Sequence, residues 1–330
     1  MSENLLNDNK VAFLAGAPRS LVLIPLVFFL TLLCPNLPVR GEGRLPVVAS
    51  IVPLGDFCEQ LGGTRVRVQV LIPPGASPHV FEPSPGTVRS ALKAKVFVYV
   101  GAGLEPWAER LLKAHPSPDR LVVEAVHGVH LIQNGSDFPE KAVISGPPEE
   151  GLVHPHEPGH LKGNPHVWLD PVLVKELCQR VTEAFIKADP EHRPYYEARL
   201  SQYLKELDIL HQEISQTVAG FRVREYVSFH SAFPYFARRY GLREAGVIAL
   251  APGREPSPKR LRDLIAAVKK SGVKAVFAEP QFSPRVAEVI AREVGVKVLL
   301  LDPLGGRPPY GTDYLKLMRH NLKVMAEAMQ

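Results

Sequence analysis

The sequence predicts an α/β protein of two units joined by one long helix. Three observations carry that expectation. From Leu45 to Val126, short apolar runs alternate with segments of helical periodicity, and the alternation resumes past Gly220. Between these regions, Tyr195–Val218 contains no Gly or Pro and repeats apolar residues at spacings of three and four. At about 1.5 Å per residue that stretch spans roughly 36 Å, long enough for either a core-packing helix or a rigid spine between lobes.

Each element follows from the same grammar. In the first unit, strands are expected at Pro46–Val52, Val66–Ile72, Val96–Val100 and Leu121–Val126, where apolar and β-branched residues cluster. Helices are expected at Leu54–Leu61, Thr87–Ala94 and Pro106–Ala114. The order breaks down from His127 to Pro165, a polar stretch with Asn134-Gly135 and Gly146-Pro147-Pro148, which reads as a long surface loop. Val172–Ala188 and Pro194–Ala219 are helical, with Asp189-Pro190 marking the break between them. In the second unit, strands fall at Glu225–Phe229, Ala245–Leu250, Val273–Ala278 and Val296–Leu301. Its helices fall at Pro234–Tyr240, Pro258–Lys270, Pro284–Val294 and Asp313–Met329. Strands alternating with helices imply mainly parallel sheets covered on both faces. The chain is thus divided into an export segment (1–45), a first lobe (46–190, containing the 127–165 loop), a linking helix (191–220) and a second lobe (221–330).

The N-terminal segment has its own composition. Leu21–Leu33 is an uncharged, mostly apolar run preceded by Arg19, short for a spanning helix and suited to a signal-peptide core. Cys34 stands where a lipoprotein signal places the acylated residue, although Leu33 occupies the preceding position, where a small residue belongs. An exported protein is therefore expected, periplasmic or anchored by its N-terminus to the outer face of the cytoplasmic membrane. Export permits a disulfide between Cys58 and Cys178; two buried free thiols is the alternative. A formal charge of +5 over 330 residues, with no basic cluster interleaved with aromatics, argues against a nucleic-acid partner.

Chemistry concentrates in a few short loops. His79, His166 and His230 each sit among Pro or aromatic residues beside a predicted strand, and Asp302 ends a fourth strand-like run. Three imidazoles and a carboxylate suit a four-coordinate zinc shell. In open α/β sheets, ligands bind beyond the carboxyl ends of strands, where His79, His230 and Asp302 fall. Trp168, Phe229 and Phe233 are expected to form an apolar collar. Asp170 and Glu82 are candidate acceptors for imidazole N–H groups, with Glu82 read equally well as an ordinary exposed carboxylate. His154, His156 and His160, beside Glu149, Glu150 and Glu157, form either an auxiliary metal-capturing loop or a solvated loop with incidental histidines.

Several phrases in order carry a resemblance over essentially the whole mature chain. They are Pro78-His79-Val80-Phe81-Glu82-Pro83-Ser84-Pro85, Asn164-Pro165-His166-Val167-Trp168-Leu169-Asp170-Pro171 and His230-Ser231-Ala232-Phe233-Pro234-Tyr235. Glu255-Pro256-Ser257-Pro258, Phe277-Ala278-Glu279-Pro280-Gln281-Phe282 and Leu301-Asp302-Pro303-Leu304-Gly305 complete them. The chain resembles the metal-binding family of ABC-transporter solute-binding proteins that serves zinc and manganese uptake. The resemblance implies two four-stranded α/β lobes bridged by one rigid helix, with metal bound between them. It implies ligands at His79 and His166 on the first lobe and at His230 and Asp302 on the second, with Glu279 behind them.

His230 at the third position leans the choice toward Zn²⁺ over Mn²⁺, which prefers harder oxygen donors. A monomer that hands zinc to a membrane permease and its ATPase is the expected function. Surface adhesion with a structural metal is the alternative. Four protein ligands and the lack of a His-Glu-x-x-His motif argue against an enzyme, and no phosphate-binding Gly-x-x-x-x-Gly-Lys-Ser/Thr loop is present.

Overall fold

The computed structural model describes residues 43–133, 163–249 and 256–330. Strands β1 (Leu45–Ala49), β2 (Val66–Val70), β3 (Val96–Tyr99) and β4 (Leu121–Glu124) form an all-parallel sheet in the order β2-β1-β3-β4. Strands β5 (Glu225–Ser228), β6 (Arg243–Val247), β7 (Ala275–Ala278) and β8 (Lys297–Leu300) form a second parallel sheet in the order β6-β5-β7-β8. Helices α1 (Val52–Gly62), α2 (Pro85–Lys93), α3 (Pro106–Ala114) and α4 (Pro171–Ala188) belong to the first lobe. Helices α6 (Pro234–Tyr240), α7 (Pro258–Ser271), α8 (Arg285–Val294) and α9 (Tyr314–Met329) follow α5 (Arg193–Ala219), the long helix between the lobes.

Local chemistry sets many of these boundaries. Ser84, Asp170 and Ser257 each precede a proline, and their side-chain oxygens accept from the backbone N–H of Thr87 (3.2 Å), Val172 (2.9 Å) and Arg260 (3.3 Å). A short acceptor at the cap and a proline in the first turn satisfy or remove donors that a helix start leaves unpaired. The first strand ends at Ala49 rather than Val52, because Pro53 lies in the first turn of α1.

The 27 residues of α5 extend about 40 Å at the usual rise. Tyr196, Tyr203, Leu207, Leu210, Ile214 and Val218 make its buried stripe, which packs on α1 and α4 of the first lobe and on α6 and α9 of the second. The spine is therefore also a core helix. Helix α9 is a second brace that the sequence pattern did not single out. Its first residue, Tyr314, donates its backbone N–H to Asp56 Oδ2 of α1 (2.9 Å) and its hydroxyl to the Trp168 carbonyl (2.8 Å). The Tyr314 ring meets Phe57 edge-on at 4.8 Å.

One apolar core consequently runs through both lobes, including Phe57, Trp168, Tyr203, Tyr314 and Met318. A smaller core lies on the other face of the second sheet. Alternate strand residues divide between the two: Tyr226 and Phe277 face the shared core, Val227 and Val276 the smaller one. Gly306, in the loop after β8, has a positive φ of 82°, and a Cβ there would lie 2.7 Å from Pro74 of the first lobe. Glycine permits that approach. Cys58 and Cys178 are free thiols, both fully buried. Among the described residues, no helix is long and apolar enough to cross a membrane. Cys34 and the rest of the expected export segment up to Glu42 lie outside the described residues.

Candidate metal centre

Three loops bring imidazoles to one point between the sheets. His79 sits in the turns between β2 and α2, partly buried, beside the exposed Val80. His166 opens a single 3₁₀ turn (Val167–Leu169) ahead of α4, and His230 follows β5; both are buried. One ring nitrogen from each of the three lies within 4.8 Å of the others. His166 Nε2 is the hub, 3.3 Å from His79 Nε2 and 3.1 Å from His230 Nε2.

The far side of two rings decides what those nitrogens carry. Glu279 Oε1 accepts from the His230 backbone N–H (3.1 Å) and faces His230 Nδ1 at 2.5 Å. The Asn164 side-chain oxygen accepts from the His166 backbone N–H (3.0 Å) and faces His166 Nδ1 at 2.9 Å. An oxygen that serves as acceptor to a backbone N–H also favours a protonated Nδ1, so in the neutral form each ring carries its hydrogen on Nδ1. Each ring then turns a bare lone pair on Nε2 toward the other. Two lone pairs 3.1 Å apart cannot hydrogen-bond; a cation between them resolves the conflict. Zinc–nitrogen bonds of about 2.0–2.1 Å place neighbouring ligands of a tetrahedral shell roughly 3.3 Å apart, close to the separations found.

Burial favours the neutral form of His79 and His166. It pushes His79 down to about 3, assisted by charge on nearby His230, and pushes His166 well below the ordinary imidazole value. The walls are aromatic: Trp168 lies 5.1 Å from the His166 ring, and Phe282 meets His230 edge-on at 5.6 Å while stacking on Phe229 at 4.8 Å. Phe233 packs instead against Phe236.

The other expected site residues separate into different roles. Glu279 stands behind His230, as the resemblance implies. Asp302 is not in the cluster of convergent ligand atoms. Its Oδ1 accepts from Gln281 Nε2 (3.0 Å) and from the backbone N–H groups of Leu304 (2.9 Å) and Gly305 (3.1 Å), while Oδ2 accepts from the Tyr310 hydroxyl (2.5 Å). Asp170 does not orient an imidazole: it caps α4 and pairs with Arg239 of α6 at 2.8 Å. A guanidinium supplies the counter-charge that a neutral ring could not. Glu82 is exposed. His154, His156 and His160 lie outside the described residues. Asn164, Phe282 and Tyr310 received no role from the sequence; Asn164 in its Asn-Pro-His phrase offered the one available signal.

Residues 47–328 match the family described as zinc-uptake complex component A, periplasmic (ZnuA). The chain belongs to that family. It is 29% identical over 318 residues to the high-affinity zinc uptake system protein ZnuA of Bacillus subtilis (strain 168), covering 94% of this chain and 97% of that one. It is 30% identical to the zinc-binding protein AdcA of Streptococcus pyogenes serotype M6, covering 91% of this chain and 59% of that longer protein. A crystal structure of ZnuA superposes with a TM-score of 0.71 at 32% identity, over 86% of this chain and 99% of the other. The laminin-binding protein Lmb of Streptococcus agalactiae, described as bifunctional with adhesin and metal transporting activity, superposes with a TM-score of 0.71 at 31% identity, over 86% and 99%. ZnuA members thus share the two-sheet frame around which these three imidazoles are arranged.

Proposed function

We propose that this chain is an extracytoplasmic zinc carrier that takes up Zn²⁺ between its lobes and hands it to an ABC-type permease and its ATPase. The observation that carries this reading is the convergence of three imidazole nitrogens, His166 Nε2 facing His230 Nε2 at 3.1 Å and His79 Nε2 at 3.3 Å. His79, His166 and His230 are the ligands. The family's zinc-uptake members and the borderline softness of imidazole favour Zn²⁺ over Mn²⁺. Asp302, with both oxygens engaged, leaves the fourth position to a solvent molecule or a small anion.

Three protein ligands and an open position also describe catalytic zinc. Carriage is favoured because Glu279 Oε1 is engaged on the Nδ1 side of His230 and both Asp302 oxygens are engaged around its own loop, so neither carboxylate joins the convergent ligand nitrogens as a general base. We divide the described chain at 190 and 220 into first lobe, spine and second lobe. The shared core and the α9 brace make opening a small tilt with loop rearrangement. Export and an N-terminal anchor fit a receptor that feeds a membrane permease.

Calorimetric titration of zinc into the metal-stripped protein tests the assignment. One high-affinity site is expected, lost by roughly a hundredfold or more in His79→Ala and in His166→Ala, since structural zinc sites gain about 10–16 kcal/mol from four ligands. Unchanged affinity in either variant would sink the site.

A further inference from the structure

All four polar groups of Asn164 are engaged, and they face both lobes. Its backbone N–H donates to the Ile132 carbonyl (2.7 Å), and its side-chain oxygen serves the His166 backbone N–H and Nδ1. Its side-chain NH₂ donates to the Ser231 carbonyl (2.7 Å), one residue beyond His230. Its own carbonyl accepts from the Tyr235 hydroxyl (2.7 Å), which in turn accepts from the Ile132 N–H (3.1 Å). The amide orientation follows from its neighbours: a backbone N–H requires the oxygen on one side, and a carbonyl requires the NH₂ on the other. The residue is buried, so a lost partner would not be replaced by bulk water.

We infer that Asn164 is a positioning residue that couples contact between the lobes to the ligand orientation of His166. This deepens the zinc-carrier reading and rests on it. With the lobes in contact, the Ser231 carbonyl holds the Asn164 side-chain NH₂ and the Tyr235 hydroxyl holds its backbone carbonyl, so that the amide oxygen fixes hydrogen on His166 Nδ1 and the lone pair on Nε2. His166 Nε2 is the hub of the three ligands, so this single amide orients the group on which the shell depends. Drawing the second lobe away removes both the Ser231 and Tyr235 contacts, and the amide is then free to turn. The imidazole loses its fixed tautomer as the His230 ligand departs. Opening thus weakens a first-lobe ligand as well as removing a second-lobe one, and metal release becomes steep in the separation of the lobes.

Two substitutions at one position separate positioning from packing. Asn164→Ala removes the acceptor and is expected to weaken zinc binding 10- to 100-fold, the usual range for loss of a group that orients a metal ligand. Asn164→Asp keeps an acceptor toward His166 and loses the donor toward Ser231. With a carboxylate oxygen set against the Ser231 carbonyl, its zinc affinity is expected to fall, but by less than in Asn164→Ala, and its zinc dissociation into a chelator to speed at least threefold, while the metal-free melting temperature falls in both variants. Tyr235→Phe leaves the Asn164 side chain intact and is expected to speed zinc dissociation into a chelator at least threefold. Affinity in Asn164→Ala within threefold of the unaltered protein would overturn the inference. So would equal losses in Asn164→Ala and Asn164→Asp, because the acceptor would then be irrelevant. An unchanged dissociation rate in Tyr235→Phe would overturn the coupling to the second lobe. These outcomes are distinct from failure of the metal site itself, which unchanged binding in His79→Ala would reveal.

Discussion

Glu279→Ala offers a direct measure of what the protein behind a ligand contributes. Glu279 Oε1 meets two hydrogens of His230, on the backbone nitrogen at 3.1 Å and on Nδ1 at 2.5 Å, and both side chains are under a tenth exposed. Burial excludes water as a substitute acceptor. Hydrogen bonds to a charged group contribute about 1.5–3 kcal/mol. The one to Nδ1 also makes Nε2 a better donor to metal and removes the competing tautomer. Losing it should therefore cost zinc binding about 1.5–3 kcal/mol, or roughly 10- to 100-fold in Kd. Glu279→Gln, which keeps an oxygen acceptor without the charge, should fall between. Competition against a chelator of known affinity at fixed pH reads both variants. Binding by Glu279→Ala within threefold of the unaltered protein would refute the reasoning, because the carboxylate would then be a bystander.

Two further predictions concern protons. His79 is lowered to about 3 and His166 well below the ordinary value, so the neutral forms persist on acidification. Their contribution to the stability of the metal-free protein is complete above the unfolded value of 6.5 and is lost as pH falls toward 3. Three ordinary imidazoles would release about two protons on binding zinc at pH 6.0, whereas with His79 and His166 already neutral at most one imidazole proton is left to release. Calorimetry in two buffers of different ionisation enthalpy counts them, and a release near two would refute the assignment. Glu105 runs the other way. Its buried carboxyl accepts from the backbone N–H groups of Val100 and Gly101, and desolvation raises it from 4.5 to about 7. The neutral acid is favoured in the fold, so its stabilisation is complete below 4.5 and disappears as pH rises through 7, on the order of 3 kcal/mol. Glu105→Gln should flatten the melting-temperature profile between pH 5 and 8; an unchanged slope in that variant would count against the shift.

Much of the frame was legible in the chain. The strands β3 and β7 are continuous apolar runs, Val96–Tyr99 and Ala275–Ala278, as expected of central strands buried on both faces. Cap-and-proline pairs at Ser84, Asp170 and Ser257 start three of the expected helices, and those short-range preferences act before any tertiary contact forms. The three histidines were legible for a related reason, since stiff Pro and aromatic flanks beside strand ends are unusual company for incidental imidazoles. The acidic residues were legible only in part, Glu279 beside the site through the resemblance and Glu82 as one of two readings, whereas Asp170 and Asp302 were not. Asp170, Glu82, Glu279 and Asp302 carry the same group, and its role depends on which charge or donor the fold sets against it.

The sequence by itself determined the elements, their order, the two parallel sheets and the loops that present His79, His166 and His230. These follow from periodicity, caps and turn chemistry, which are properties of neighbours along the chain. Tertiary structure alone decided the rest. It set α9 as a second brace, assigned Arg239 to Asp170 and closed Tyr310 and Gln281 over Asp302. It also placed Asn164 between His166 and the carbonyl of Ser231, 67 positions beyond Asn164. Hydrogen-bond partnership is settled within about 3 Å in space, and no pattern of spacing along a strand or helix encodes which distant donor will arrive there.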